Sequence, residues 1–153
     1  MNKDIQGLLG ICKDVAKFGE LATIKELIRH FPASTIEWKG GRNSHDISID
    51  EKRIEVKSCN RDNKWAKKKN NIGFGKIDAK KFEFLVCVAF DNKFEDAKYF
   101  VFTREETERF PLTIGKEAKE RGLRLLEYPN QDKEIDQLVK NSENAWHKLK
   151  SSS

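Results

Sequence analysis

The fourteen residues His45–Ser58, HDISIDEKRIEVKS, constrain the fold more than any other stretch. Asp46, Ser48 and Asp50 alternate with Ile47 and Ile49, and Arg53, Glu55 and Lys57 alternate with Ile54 and Val56. This two-residue period is that of two half-buried strands joined by a short turn. If Asp50 and Glu51 form the turn, Ile49 pairs with Lys52 and Asp46 falls opposite Glu55 on the polar face. Directly opposed side chains stand roughly 5 Å apart at Cβ, so two carboxylates face each other, with Lys57 further along the same side. Like charges so placed destabilise a sheet unless a cation lies between them. A hard divalent ion such as Mg²⁺ suits the position, since it takes one or two carboxylates, keeps water, and favours substrates that bring phosphate oxygens.

An Asp, eight intervening residues and then Glu55-Val56-Lys57 on a strand resembles the PD-(D/E)xK nuclease superfamily, which includes type II restriction endonucleases and archaeal Holliday junction resolvases. The resemblance spans roughly residues 19 to 103, and His45 stands where the family often has Pro. An acid two residues before a Lys occurs eight times in this chain, at Glu37, Asp50, Glu55, Asp62, Asp78, Asp91, Asp96 and Glu117, so the tripeptide alone says little. Glu55 differs from the others in its apolar middle residue, its strand-like surroundings and an Asp in matching phase on the preceding strand. The competing reading of the same residues is a solvated charged hairpin.

The resemblance implies a restriction endonuclease-like αβββαβ core, a mixed sheet flanked by helices. It also implies that Asp46, Glu55 and the backbone carbonyl of Val56 hold one or two Mg²⁺, for which Mn²⁺ substitutes, while Lys57 orients or deprotonates the attacking water. In several members an acid on the preceding helix joins the metal site, and Glu20 is the candidate here. Its alternative role is to favour a helix N-terminus. Periodicity alone supports only a mixed α/β chain.

At 153 residues the chain is expected to be one domain with one core, with N-terminal helices over 3–31, the catalytic sheet over about 35–103 and a helical part over 104–150. No apolar run approaches the roughly 20 residues that cross a membrane, and no signal peptide is evident, so a cytoplasmic protein is expected. Cys12, Cys59 and Cys87 are odd in number, widely spaced and lack CxxC pairing, so neither a disulfide framework nor a zinc site is suggested. The net charge of +5 fits a polyanionic partner.

Apolar residues Ile5, Leu8, Leu9, Cys12 and Val15 read as one helix, interrupted at Gly19, and Leu21, Ile24, Leu27, Ile28 and Phe31 as a second, closed by Pro32. Thr35 to Lys39 reads as a first strand ended by Gly40-Gly41. Between Cys59 and Lys81 lies the most basic stretch, where Arg61, Lys64, Lys67, Lys68, Lys69, Lys76, Lys80 and Lys81 interleave with Trp65 and Phe74. Bordering a carboxylate hairpin, it is expected to form a DNA-contacting rim with Arg42 and Asn43. A solvated loop or helix is the alternative.

Phe82 to Phe90 is a continuous apolar run expected to be a buried central strand, with Tyr99 to Phe102 as its antiparallel partner. Thr103 and Glu106 form the pattern of a capping box at the head of a short helix stopped by Pro111. A helix over Ile114 to Arg121 ending at Gly122, a short strand over Leu123 to Leu126 and a long helix over Asp132 to Lys150 complete the reading. His30 and His147 fall in helical patterns, and His45 is expected to point away from Asp46. The function so reached is Mg-dependent cleavage of DNA of the type II restriction kind, by a homodimer or a chain paired with another subunit. A junction resolvase or repair nuclease, and a non-catalytic nucleic-acid-binding module of the same fold, are the alternatives.

Overall fold

The structure is a computed structural model and describes residues 15–39, 45–62, 73–93, 96–111, 121–124 and 132–150. Its frame is a five-stranded mixed sheet. Helix α1 (Val15–His30) leads into strand β1 (Ile36–Trp38) and the hairpin β2 (Ile47–Ile49) and β3 (Lys52–Asn60). Strand β4 (Gly73–Ile77) and a 3₁₀ turn (Ala79–Lys81) lie between the hairpin and β5 (Phe84–Phe90). Then come β6 (Lys98–Thr103), the short helix α2 (Arg104–Thr107), β7 (Arg121–Arg124), α3 (Lys133–Ser142) and a 3₁₀ turn (Trp146–Leu149). The order across the main sheet is β1-β2-β3-β5-β6, and β4 and β7 form a separate two-stranded antiparallel ribbon.

The hairpin takes the register expected of a two-residue turn, with Ile49 opposite Lys52 and Ile47 opposite Ile54. Asp50 and Glu51 both adopt positive φ, 47° and 69°, the turn whose twist matches that of the flanking strands. Asp50 also ties the turn to the chain entering β1: its carboxylate accepts from the Thr35 backbone N–H at 2.9 Å, and its own N–H donates to the Thr35 carbonyl at 2.9 Å. Strand β5 runs parallel to β3 and antiparallel to β6, and all seven of its residues are buried because both faces of the sheet are covered.

On one face α1 packs Phe18, Ala22 and Leu27 against Ile47, Ile49, Ile54, Val56, Val86 and Val88. On the other, the β4–β7 ribbon, α2's end and α3 bring Phe74, Ile77, Leu123, Phe110, Ile135, Leu138 and Val139 against Leu85, Cys87, Phe100 and Phe102. The expected layering, a mixed sheet flanked by helices, is what the chain adopts. In the connection from β3 to β5 the described residues form β4 and the 3₁₀ turn.

Three sequence expectations change. Gly19 does not interrupt a helix, since α1 runs unbroken from Val15 to His30; the residue is small because the helix presses on β3 there. A Cβ at Gly19 would lie 1.8 Å from Ser58 Oγ and 3.1 Å from Ser58 Cβ. Arg121 and Gly122 belong to a strand rather than the end of a helix, paired with Ile77 and its neighbours in β4. The long C-terminal helix is broken after Ser142: Glu143 is extended and bridges to Phe100, and Asn144 takes φ 53° and donates its N–H to the Tyr99 carbonyl at 2.8 Å. This break carries the chain around the β6 edge. Hence α3 covers one face while Trp146 and Leu149 bury themselves in the other.

The expected first strand, the central strand with its antiparallel partner, and the capping box all match. Thr103 Oγ1 accepts from the Glu106 N–H at 3.2 Å, and the Glu106 carboxylate accepts from the Thr103 N–H at 2.8 Å. Residues 3–14, the helix over 114–120 and Leu125–Leu126 lie outside the described residues. Among the described residues no helix is long and apolar enough to cross a membrane.

Candidate active site

The hairpin register decides the site. With Ile47 opposite Ile54, the next position outward places Asp46 beside Glu55, and the Asp46 N–H donates to the Ile54 carbonyl at 3.1 Å. Strand β2 begins at Ile47 while β3 runs on to Asn60, so among the described residues the edge of β3 beyond Asp46 is left open. Asp46 turns into that opening, and its Oδ2 accepts from the Val56 N–H at 2.8 Å. In an extended strand the carbonyl of a residue points to the same side as its N–H, so the Val56 carbonyl faces the same opening.

Glu55 and Lys57 share the face that carries their parallel partners Leu85 and Cys87. Burial pushes the Glu55 carboxyl up to about 7, and the Asp46 charge adds to the shift. The Lys57 ammonium opposes it, the hydrogen bond that protonated Glu55 donates to Asp46 adds to it, and the Lys81 ammonium opposes it. Burial and the neighbouring Asp46 both favour the protonated form of Glu55, and the register sets the two acids opposite each other.

Whether the residues suit a divalent ion is answered by their chemistry. Two carboxylates and a backbone carbonyl directed to one opening are all oxygen donors, the set a hard ion takes. Among the described residues, no group of three or more His, Cys, Asp or Glu side chains is close enough to hold a metal together. Glu20 is 8 % exposed in mid-helix rather than at a helix start, and α1 covers the sheet face opposite to Glu55.

His45 behaves differently from expectation. It precedes β2 in a bend, so strand alternation does not reach it, and its Nε2 lies 2.8 Å from Ser48 Oγ, on Asp46's side of the hairpin. Burial, with Arg53 and Lys39 nearby, lowers its pKa, while Glu83 and Asp46 pull the other way. Ser48 is itself buried, so the polar face of the hairpin is partly roofed over rather than solvated.

The expected DNA-contacting residues separate. Arg61 is a strut: its Nη2 donates to the Asp96 carbonyl at 2.8 Å and lies 3.4 Å from the Asp96 carboxylate, and only 15 % of its side chain is exposed. Phe74 is buried in the second core and offers no stacking surface. Lys76 is exposed, at φ 56° in an irregular step of β4. Arg42, Asn43, Lys64, Lys67, Lys68 and Lys69, with Trp65, lie outside the described residues. Cys59 and Cys87 are both unpaired, and burial raises both thiols.

Among solved structures the chain is similar to a bacterial homing endonuclease, I-Ssp6803I, with a TM-score of 0.51, 17% identity and 88% of each chain covered. It has a nuclease's fold. No family model matches the chain, and a comparison with curated proteins gives no match.

Proposed function

We propose that this protein is a metal-dependent DNA endonuclease that hydrolyses phosphodiester bonds at the Asp46–Glu55 pair. The observation that carries this reading is the meeting of Asp46, Glu55 and the Val56 backbone at the open edge of β3, with Lys57 one step along, in a chain folded as an endonuclease is.

Asp46 and Glu55 would hold Mg²⁺ or Mn²⁺ with the Val56 carbonyl. A bound divalent ion supplies an acidified water and charge compensation at the phosphate. Asp46 is held by a hydrogen bond from the Val56 N–H, and Glu55 would bind the ion as its carboxylate. Lys57, on the same face and two residues on, orients the attacking water and faces the charge growing on the phosphate. Lys76, exposed on β4, is proposed to touch the DNA backbone. Arg42, Asn43, Lys64, Lys67, Lys68 and Lys69 are proposed to do so from the neighbouring segments.

Cutting both strands requires two such centres, so a homodimer or a second subunit is part of the proposal. Sequence-specific cleavage of the type II restriction kind is the first reading. Homing-type cleavage is the second, favoured because the similar structure is a homing endonuclease matched over 88% of both chains.

Supercoiled plasmid incubated with the protein in Mg²⁺ or in EDTA tests the proposal. Nicking or linearisation only with the ion, lost in Lys57→Ala while DNA binding persists, is expected. Metal-independent binding without cleavage would identify a binding module instead, and preferential cleavage of a four-way junction would identify a resolvase.

A further inference from the structure

We propose that Arg53 grips the DNA phosphate next to the scissile one through the two Nη groups of its guanidinium; this rests on the nuclease reading above. Arg53 and Glu55 are two residues apart on β3 and lie on one face of the sheet, while the intervening Ile54 is buried in the α1 core on the other. Two residues of extended strand span roughly 7 Å, the order of the step between neighbouring phosphates along a DNA strand. A DNA strand that follows β3 with one phosphate at Glu55 brings the next to Arg53.

The guanidinium is fixed at one end and open at the other. One oxygen of the Glu83 carboxylate accepts from Arg53 Nε at 3.1 Å, the other accepts from the Arg53 backbone N–H, and the Glu83 N–H donates to the Arg53 carbonyl at 2.9 Å. One acid thus holds both the main chain and the side chain of Arg53. Among the described residues Nη1 and Nη2 have no acceptor, and 34% of the side chain is exposed. A guanidinium pinned through Nε loses little further freedom when its free end meets an anion, and its two parallel N–H groups match two oxygens of a phosphate.

The surface around Arg53 suits a polyanion. Its cross-strand neighbour Ser48 is buried, with Oγ 2.8 Å from His45 Nε2, and Glu37, opposite Ser48 on β1, accepts from Lys39 Nζ at 2.7 Å. Glu37, Lys39, Arg53 and Glu83 keep between 34% and 58% of their side chains exposed, whereas Leu85 and Cys87 on the same face are sealed in the second core. Each acid of this shelf carries its own cation, Glu37 with Lys39 and Glu83 with Arg53, so neither presents a bare carboxylate to a phosphate. A contact of this kind fixes where the DNA lies and reads no base.

The test compares wild type with Arg53→Gln, Arg53→Lys, Arg29→Gln and the double variant Arg53→Gln with Glu83→Gln. A Gln side chain can still donate to Glu83, so the fold around position 53 is kept, and Arg29, paired with Glu26 at 2.8 Å on α1, is a matched control across the sheet. Anisotropy of a fluorescent mixed-sequence duplex in Ca²⁺ at several salt concentrations gives affinity and the number of phosphate contacts, and nicking of supercoiled plasmid in Mg²⁺ at saturating DNA gives turnover. Arg53→Gln is expected to weaken binding about tenfold and to reduce the salt slope by about 0.9, with turnover within about threefold of wild type because the contact is already made in the bound state. Arg53→Lys should regain the slope and only part of the affinity, having no fork, and Arg29→Gln should change neither. In the double variant the net charge of the pair is that of wild type, so the reduced slope persists only if the guanidinium itself meets the phosphate. Return of the slope there overturns the inference, as does Arg53→Gln with wild-type affinity and slope, and plasmid nicking in either case leaves the nuclease reading standing. A wild-type protein that neither binds nor nicks overturns both.

Discussion

A single carboxyl group holds the strongest testable statement at the residue scale. Glu55 is pushed up to about 7 by burial and by Asp46, against an ordinary value of 4.5. Between those two pH values the folded, metal-free protein keeps a proton that the unfolded chain has released. Stability is then fullest below about pH 4.5 and falls as pH rises to about 7, where the loss is complete. Thermal melts in EDTA from pH 4.5 to 7.5 should show this decline in wild type, and Glu55→Gln should flatten it. Equal pH slopes in the two proteins would mean that the Glu55 carboxyl is not raised in the folded state. With Mn²⁺ in place of EDTA the wild-type decline should vanish, because the ion takes the proton's place, and Asp46→Asn should abolish that metal-induced stabilisation. Both acids were visible in the sequence because alternation puts them on one face.

Elements meet most tightly where α1 crosses β3. In an exposed helix, Gly→Ala stabilises by about 1 kcal/mol. Here the added methyl would overlap Ser58, with Val56 Cγ1 a further neighbour at 3.7 Å. Gly19→Ala is therefore expected to destabilise by about 1–3 kcal/mol, read from urea unfolding. Ser58 Oγ is buried without a hydrogen-bond partner, so Ser58→Ala should be near neutral and should relieve part of the Gly19→Ala penalty in the double variant. Additive penalties would show that the two positions do not touch. Read along the sequence, this glycine looks like a helix break, because a helix-breaking glycine and a close-packing glycine are the same letter. Only the neighbour across the interface distinguishes them.

At the scale of the whole molecule, the C-terminal segment locks the two cores together. After α3 the chain bends at Asn144, passes the β6 edge and buries Trp146 against Tyr99, with ring centroids 5.6 Å apart. Lys148 then inserts its ammonium among the Val101 carbonyl at 2.9 Å, Ser142 Oγ at 2.9 Å and the Glu106 carboxylate at 2.9 and 3.1 Å. One side chain thus joins β6, α3 and the capping box of α2. Lys148→Ala leaves the Glu106 carboxylate partly buried without its cation and should cost about 3 kcal/mol. These bonds of Lys148 run to β6, α2 and α3, so the folded fraction of that variant should still nick plasmid. Loss of cleavage with stability intact would instead tie this corner to the reaction.

The sequence by itself determined whatever depends on neighbours one or two residues away. The hairpin register, the facing of Asp46 and Glu55, the buried run Phe84–Phe90 and the Thr103–Glu106 box follow from strand alternation and from local hydrogen bonds that short segments carry wherever they are placed. Tertiary structure decided what depends on partners far along the chain: a continuous α1 through Gly19, the ribbon of β4 with β7, the rounding of the β6 edge, the burial of Phe74 and the tethering of Arg61 to Asp96. A backbone bond or an ion pair between residues tens of positions apart leaves no periodic trace in either segment. Its energy arises only when the rest of the fold has brought the two together.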